Sequence, residues 1–146
     1  MSYAGDLTVE QAWEKLLAGA LLVDVRTEAE WNHIGIPDTS ATGRAPLFIQ
    51  WNLTGGTPNR DFLEQLRAQA PNDGQTELIF LCRSGVRSIG AAELAASAGF
   101  ISWNVLEGFE GAPDAYGDRI LNGWKNRRLP HSRGPRKPTT AGQGPA

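Results

Sequence analysis

The 146-residue chain has one cysteine, Cys82, one methionine, Met1, and two histidines, His33 and His131. A single thiol excludes an intrachain disulfide framework, a CxxC dithiol and a thiolate-built zinc site. The two histidines stand far apart in sequence, and no ligand cluster is visible, so neither a metal nor an organic cofactor is expected. No apolar run approaches the roughly 18 residues of a bilayer-crossing helix, and Met1 to Asp6 lacks the basic start and apolar core of a signal peptide. The expectation is a cytoplasmic protein without membrane contact.

Acid is missing from one part of the chain. Residues 1 to 124 carry 8 Lys and Arg against 16 Asp and Glu, a charge of −8, whereas residues 125 to 146 carry 6 Lys and Arg and no acid, +6. From Pro130 the sequence reads PHSRGPRKPTTAGQGPA, with no large apolar residue to offset the entropy cost of ordering it. We therefore expect one domain over 1–129 and a basic, Pro/Gly-rich, disordered tail over 130–146. The tail offers charge without aromatic residues for base stacking, which disfavours nucleic acid as a partner.

Within the first part, short apolar runs alternate with amphipathic stretches. Thr8 and Gln11 form a capping-box pattern ahead of Val9, Ala12, Trp13, Leu16 and Leu17 at helical spacing, ending near Gly19. Leu21 to Val25 reads as a strand, and Thr27 with Glu30 as a second capping box opening a short helix. Leu47 to Trp51 is another apolar run, and Asn59 is placed to cap a helix carrying Phe62, Leu63 and Leu66. Leu78 to Leu81 is apolar on both faces, as a doubly covered strand should be. Ser88 to Ala98 is a small-residue helix, and Ser102 to Leu106 a last strand. Strands separated by helices predict an α/β fold: a doubly wound parallel sheet of about five strands with helices on both faces. Trp13 is expected in the core; Trp31, Trp51, Trp103 and Trp124 are placed at element ends.

Ligands of such sheets sit beyond the carboxyl ends of the strands. Cys82 stands there, followed by Arg83, Ser84, Gly85, Val86, Arg87 and Ser88 and then a helix. Consecutive N–H groups in such a turn converge on an anionic centre, the helix N-terminus adds positive potential, and Gly85 permits the tight turn. Donors and cations around a thiol favour the nucleophilic thiolate, and the same donors can hold a persulfide. Arg83 and Arg87 are placed to attract an anionic sulfur donor.

This segment resembles the active-site loop of the rhodanese family of sulfurtransferases, a Cys at the end of a central strand followed by Arg, any residue, Gly, any residue, and Arg or Thr. LLVDVRTEAEW (residues 21–31) looks like the family's first strand with its Asp-x-Arg and Glu-aromatic pair. NVLEGFEG (104–111) and GWKNRRLP (123–130) look like its Gly-rich loop and closing segment. One departure is Asn32 to Asp38 (NHIGIPD), where many members carry Gly-His-Ile-x-Gly-Ala. The resemblance implies a rhodanese-like fold and a thiosulfate sulfurtransferase. Cys82 would be the nucleophile that accepts sulfane sulfur. Residues 83–88 would bind the donor and persulfide, and Asp24 and Arg26 would give structural support near the site. It implies a thiosulfate-like anion as donor and cyanide, a thiol or a protein as acceptor. Glu107, Phe109 and Glu110 are further candidates for the mouth of the site.

Two other readings use the same residues. Phosphatase or arsenate-reductase chemistry is disfavoured because dual-specificity phosphatases use Cys-x5-Arg, whereas Cys82 and Arg87 form Cys-x4-Arg. A regulatory module, either a dedicated sulfur carrier or a redox sensor, would keep the fold and the reactive Cys82.

Overall fold

The structure is a computed structural model that describes residues 3–132. Five parallel strands form one sheet: β1 (Gly5–Leu7), β2 (Leu21–Asp24), β4 (Leu47–Phe48), β5 (Glu77–Leu81) and β6 (Ile101–Val105), in the order β1-β6-β5-β2-β4. Two further short strands, β3 (Ile36–Pro37) and β7 (His131–Ser132), pair antiparallel. The helices are α1 (Val9–Leu17), α2 (Glu28–Ile34), α3 (Phe62–Gln69) and α4 (Arg87–Ser97).

Side-chain alternation along the central strands divides the core in two. Leu21, Val23, Leu78 and Phe80 face Phe62 and Leu66 of α3 and Ala91, Ala92 and Ala95 of α4. Leu22, Ile79 and Leu81 face Val9, Ala12 and Leu16 of α1, together with Phe109 and Trp124. Because every residue of β2 is buried, its sequence is uninterruptedly apolar until the carboxylate of Asp24. The expected fold class is therefore the observed one.

Both capping boxes form, on Thr8 with Gln11 and on Thr27 with Glu30. The expected Asn59 cap does not: α3 starts from Asp61 without a side-chain cap. Asn59 instead accepts from the Asp61 N–H and donates to the Gln50 carbonyl, bracing the turn before the helix. The strand expected over Leu47 to Trp51 is only Leu47–Phe48. Ile49 N–H and Trp51 N–H still donate to the carbonyls of Asp24 and Val25, and the Trp51 ring packs edge-on against Phe62.

The departure at Asn32 to Asp38 holds the end of α2 and then β3. Gly35 precedes it at φ 116°, where a Cβ would approach the Ser132 carbonyl to 2.7 Å, so the tight pairing with β7 requires glycine. Chain beyond the expected boundary at 129 thus continues as β7, and the rest of the expected tail, 133–146, lies outside the described residues. Among the described residues no helix is long and apolar enough to cross a membrane.

Candidate active site

Leu81 ends β5 in the middle of the sheet, and Cys82 follows at its carboxyl end, buried. Its Sγ accepts from the Gly85 N–H (3.2 Å), the Ser88 N–H (3.3 Å) and the Ser88 hydroxyl (3.1 Å). Among the described residues, hydrogen bonds to Sγ come from these two residues. The loop therefore turns back on the sulfur, and the first turn of α4 supplies the Ser88 donors. Gly85 sits at φ 92°, and a Cβ there would overlap the Leu106 carbonyl. Only glycine lets the loop lie against the end of β6.

A second layer holds Ser88. Its hydroxyl also donates to Asn104 Oδ1, while Asn104 Nδ2 donates to Asp6 Oδ1 (3.0 Å) and the Gly85 carbonyl (3.2 Å). One hydroxyl proton serves both Asn104 Oδ1 and Sγ, so it is divided between them according to the charge on sulfur. Sequence reasoning placed Asn104 in a loop motif and missed this role. The available signal was an amide in the interior of an apolar strand.

The two loop arginines have carboxylate partners. Arg87 Nη1 and Nη2 each lie 2.9 Å from one oxygen of Glu30 in α2. Burial opposes the charge on Arg87, but the Glu30 hydrogen bonds and charge, then Cys82 and Asp24, carry its pKa above the ordinary value. Burial likewise pushes Glu30 up, and the Arg87 and Thr27 hydrogen bonds outweigh it to leave the carboxyl below its usual range. Arg83, nearly half exposed, has its Nε 3.2 Å from Glu110 Oε2, an ion pair without hydrogen-bond geometry. Glu30 entered the sequence reading as a helix cap and Glu110 as a mouth residue. Both turn out to be counter-ions.

Asp24 and Arg26 are fully buried at the end of β2, where Asp24 pairs with Leu81 of β5. Arg26 Nε and Nη2 meet the two Asp24 oxygens at 2.7 to 3.2 Å, and Nη2 also donates to the Gly35 carbonyl at 2.8 Å. The guanidinium carbon stands 4.2 Å from the centre of the Phe109 ring, whose π-density favours the cation, and Nη1 has no hydrogen bond among the described residues. Ser84 is half-buried, and Val86 points outward with 71% exposure. Neither side chain reaches Sγ.

The Gly-rich loop after β6 clasps the Cys82 loop from one side. Phe109 N–H donates to the Cys82 carbonyl, and Glu110 and Gly111 N–H donate to that of Arg83. Glu107 is turned away toward Arg127 and the Gly123 N–H. Burial raises the Glu107 pKa, but these partners outweigh it and hold it low. Phe109 lines no mouth; it is core, beneath Arg26.

Comparison with known proteins gives this arrangement relatives. The Rhodanese-like domain family model matches residues 8–112. Rv0390 from M. tuberculosis, known as a crystal structure, is 51% identical over 91% of this chain and 100% of that one, with a TM-score of 0.85. A rhodanese-like domain protein from Staphylococcus aureus covers 84% of this chain and 98% of its own at 22% identity and a TM-score of 0.52, a likeness of fold alone. Protein RC0915 of Rickettsia conorii is 33% identical over 123 residues, 82% of this chain and 90% of the relative. It bears the name uncharacterized protein, which carries no activity to this chain.

Proposed function

The chain belongs to the rhodanese-like domain family, and on that premise we propose that it is a sulfurtransferase working through a persulfide on Cys82. The observation that carries the reading is the convergence of the Gly85 N–H, the Ser88 N–H and the Ser88 hydroxyl on one sulfur at the end of β5. Such donors stabilise sulfur anions in place and need no reorganisation when charge develops.

In the first half-reaction the Cys82 thiolate attacks the outer sulfur of a donor such as thiosulfate. The new S–S bond forms as the donor's S–S bond breaks, sulfite departs with the electron pair, and Cys82 carries S–S⁻. In the second, a cyanide or thiolate acceptor attacks the terminal sulfur and Cys82 leaves as thiolate. Dividing the transfer in two gives each step a good leaving group. Arg83, the more exposed cation, meets an anionic donor, and Arg87, pinned by Glu30, orders the loop. Asp24 and Arg26 support the loop from below. The chain has no second cysteine, so the sulfur passes to an external acceptor.

The test is a mass spectrum after incubation with thiosulfate. A gain of about 32 Da on Cys82, discharged by cyanide as thiocyanate and absent in Cys82→Ser, is the expected result. A well-folded protein that gains no such mass from thiosulfate or from another sulfane-sulfur donor overturns the proposal.

A further inference from the structure

The charges around Cys82 point to a donor class. Two arginines lie in the loop and a third in the segment after β2, and each has its own carboxylate: Arg87 with Glu30, Arg83 with Glu110, and Arg26 with Asp24. The pairing is close, at 2.9, 3.2 and 2.7 Å. The groups that touch Sγ itself are neutral: two backbone N–H groups and a hydroxyl. Among the described residues the site therefore lacks the excess positive charge that CRSGVRS suggests when read alone. Glu110 stands out among the carboxylates because its buried Oε2 has no hydrogen bond among the described residues while facing the most exposed of the three arginines. An anion approaching Arg83 meets that carboxylate as a competitor.

Resting on the persulfide reading above, we infer that Glu110 and Glu30 determine donor specificity. By neutralising Arg83 and Arg87 they select a sulfane-sulfur donor of single negative charge over a dianion. In chemical terms the favoured donor carries its transferable sulfur on an organic group, and free thiosulfate is a poor second. The physical reason is that a repulsive charge acts on each unit of donor charge. Whatever factor it costs a monoanion, it costs a dianion about the square of that factor.

Two donors with the same leaving-group chemistry separate charge from reactivity. Thiosulfate is a dianion, and its transfer to the Cys82 thiolate releases sulfite. Methanethiosulfonate is a monoanion, and the same transfer releases methanesulfinate, so total charge balances in both reactions. The experiment measures kcat/KM for each donor in wild type, Glu110→Gln and Glu30→Gln, with cyanide as acceptor and circular dichroism to establish folding. Wild type is expected to favour methanethiosulfonate. Each Gln variant is expected to gain about threefold with methanethiosulfonate and about tenfold with thiosulfate, a shift of about threefold toward the dianion. Glu30→Gln keeps an acceptor for Thr27 and Arg87, and so carries the test if Glu110→Gln does not fold. A folded variant whose ratio of the two donors equals that of wild type overturns this inference and leaves the persulfide reading standing. Failure of both donors to load wild-type Cys82 overturns both.

Discussion

Asp24→Ala tests the buried ion pair at the end of β2. The substitution removes the acceptor of three side-chain bonds from Arg26 and one from its backbone N–H, in a place where both residues have no exposure to solvent. What remains for the guanidinium is the Gly35 carbonyl and the face of Phe109. Removing one partner of a buried ion pair costs about 3–5 kcal/mol, because the other charge stays desolvated without compensation. Against a typical total of about 5–15 kcal/mol, that is a large part of the stability. Urea unfolding followed by Trp fluorescence measures it: the midpoint should fall with little change in slope. In the double variant Asp24→Ala/Arg26→Met the uncompensated charge is gone, and at least half of the loss should return. The coupling between the two sites should reach about 2 kcal/mol, near the upper part of the range for residues in contact. A single variant within about 1 kcal/mol of wild type, or a double variant as unstable as the sum of its parts, would refute this account of the pair.

Other consequences can be checked on the same protein. Ser88→Ala takes a donor from Sγ and strands Asn104 Oδ1; persulfide formation should slow by about 10- to 100-fold, the worth of a hydrogen bond to a charged group, as stopped-flow loading with a thiosulfonate would show. Gly108→Ala puts a Cβ 2.6 Å from the Arg83 carbonyl at φ +71°; a loss of about 1–3 kcal/mol in urea, with slower loading, is expected. Glu30 has a folded-state pKa below its ordinary value of 4.5. Its contribution is therefore complete above that value and disappears as pH falls through the folded pKa. Glu30→Gln should thus lower the urea midpoint at pH 7, and the gap to wild type should narrow at pH 3. An equal gap at both pH values would show that the Glu30 charge does not stabilise the fold.

The parts legible in the sequence are those whose signal is local. LIFL and LLVD stand out because strands covered on both faces have no polar alternation to conceal them. Thr27 and Glu30 stand three apart because a capping box spans one helical turn. CRSGVRS is legible as a loop because strand end, glycine and helix start are adjacent in the chain. The rest depends on distance. Glu30 and Arg87 are 57 positions apart, and Ser88 and Asn104 are 16 apart, so no spacing rule announces either contact. β7 is two exposed polar residues, and hydrophobic pattern carries no trace of such a strand. The same limit hides the counter-ions of the loop arginines. Arg83 and Arg87 stand close to Cys82 in the chain, but their carboxylate partners arrive from the loop after β6 and from α2.

Support for the site extends beyond the stretch that matches the family. That match ends at residue 112, yet Trp124 is fully buried, packs edge-on against Trp13 of α1, and donates its N–H to the Gly108 carbonyl at 2.8 Å. Lys125 N–H donates in turn to the Phe109 carbonyl. The next step inward is the bond from Phe109 N–H to the Cys82 carbonyl, beside those from Glu110 and Gly111 to Arg83. A continuous ladder thus runs from the closing segment through the Gly-rich loop to Cys82. The carbonyls of Cys82 and Arg83 are thus held by backbone hydrogen bonds from outside the loop, and those donors are tied in turn to a tryptophan 42 positions downstream of Cys82. The segment from Gly123 to Pro130 is therefore part of the frame around the candidate site.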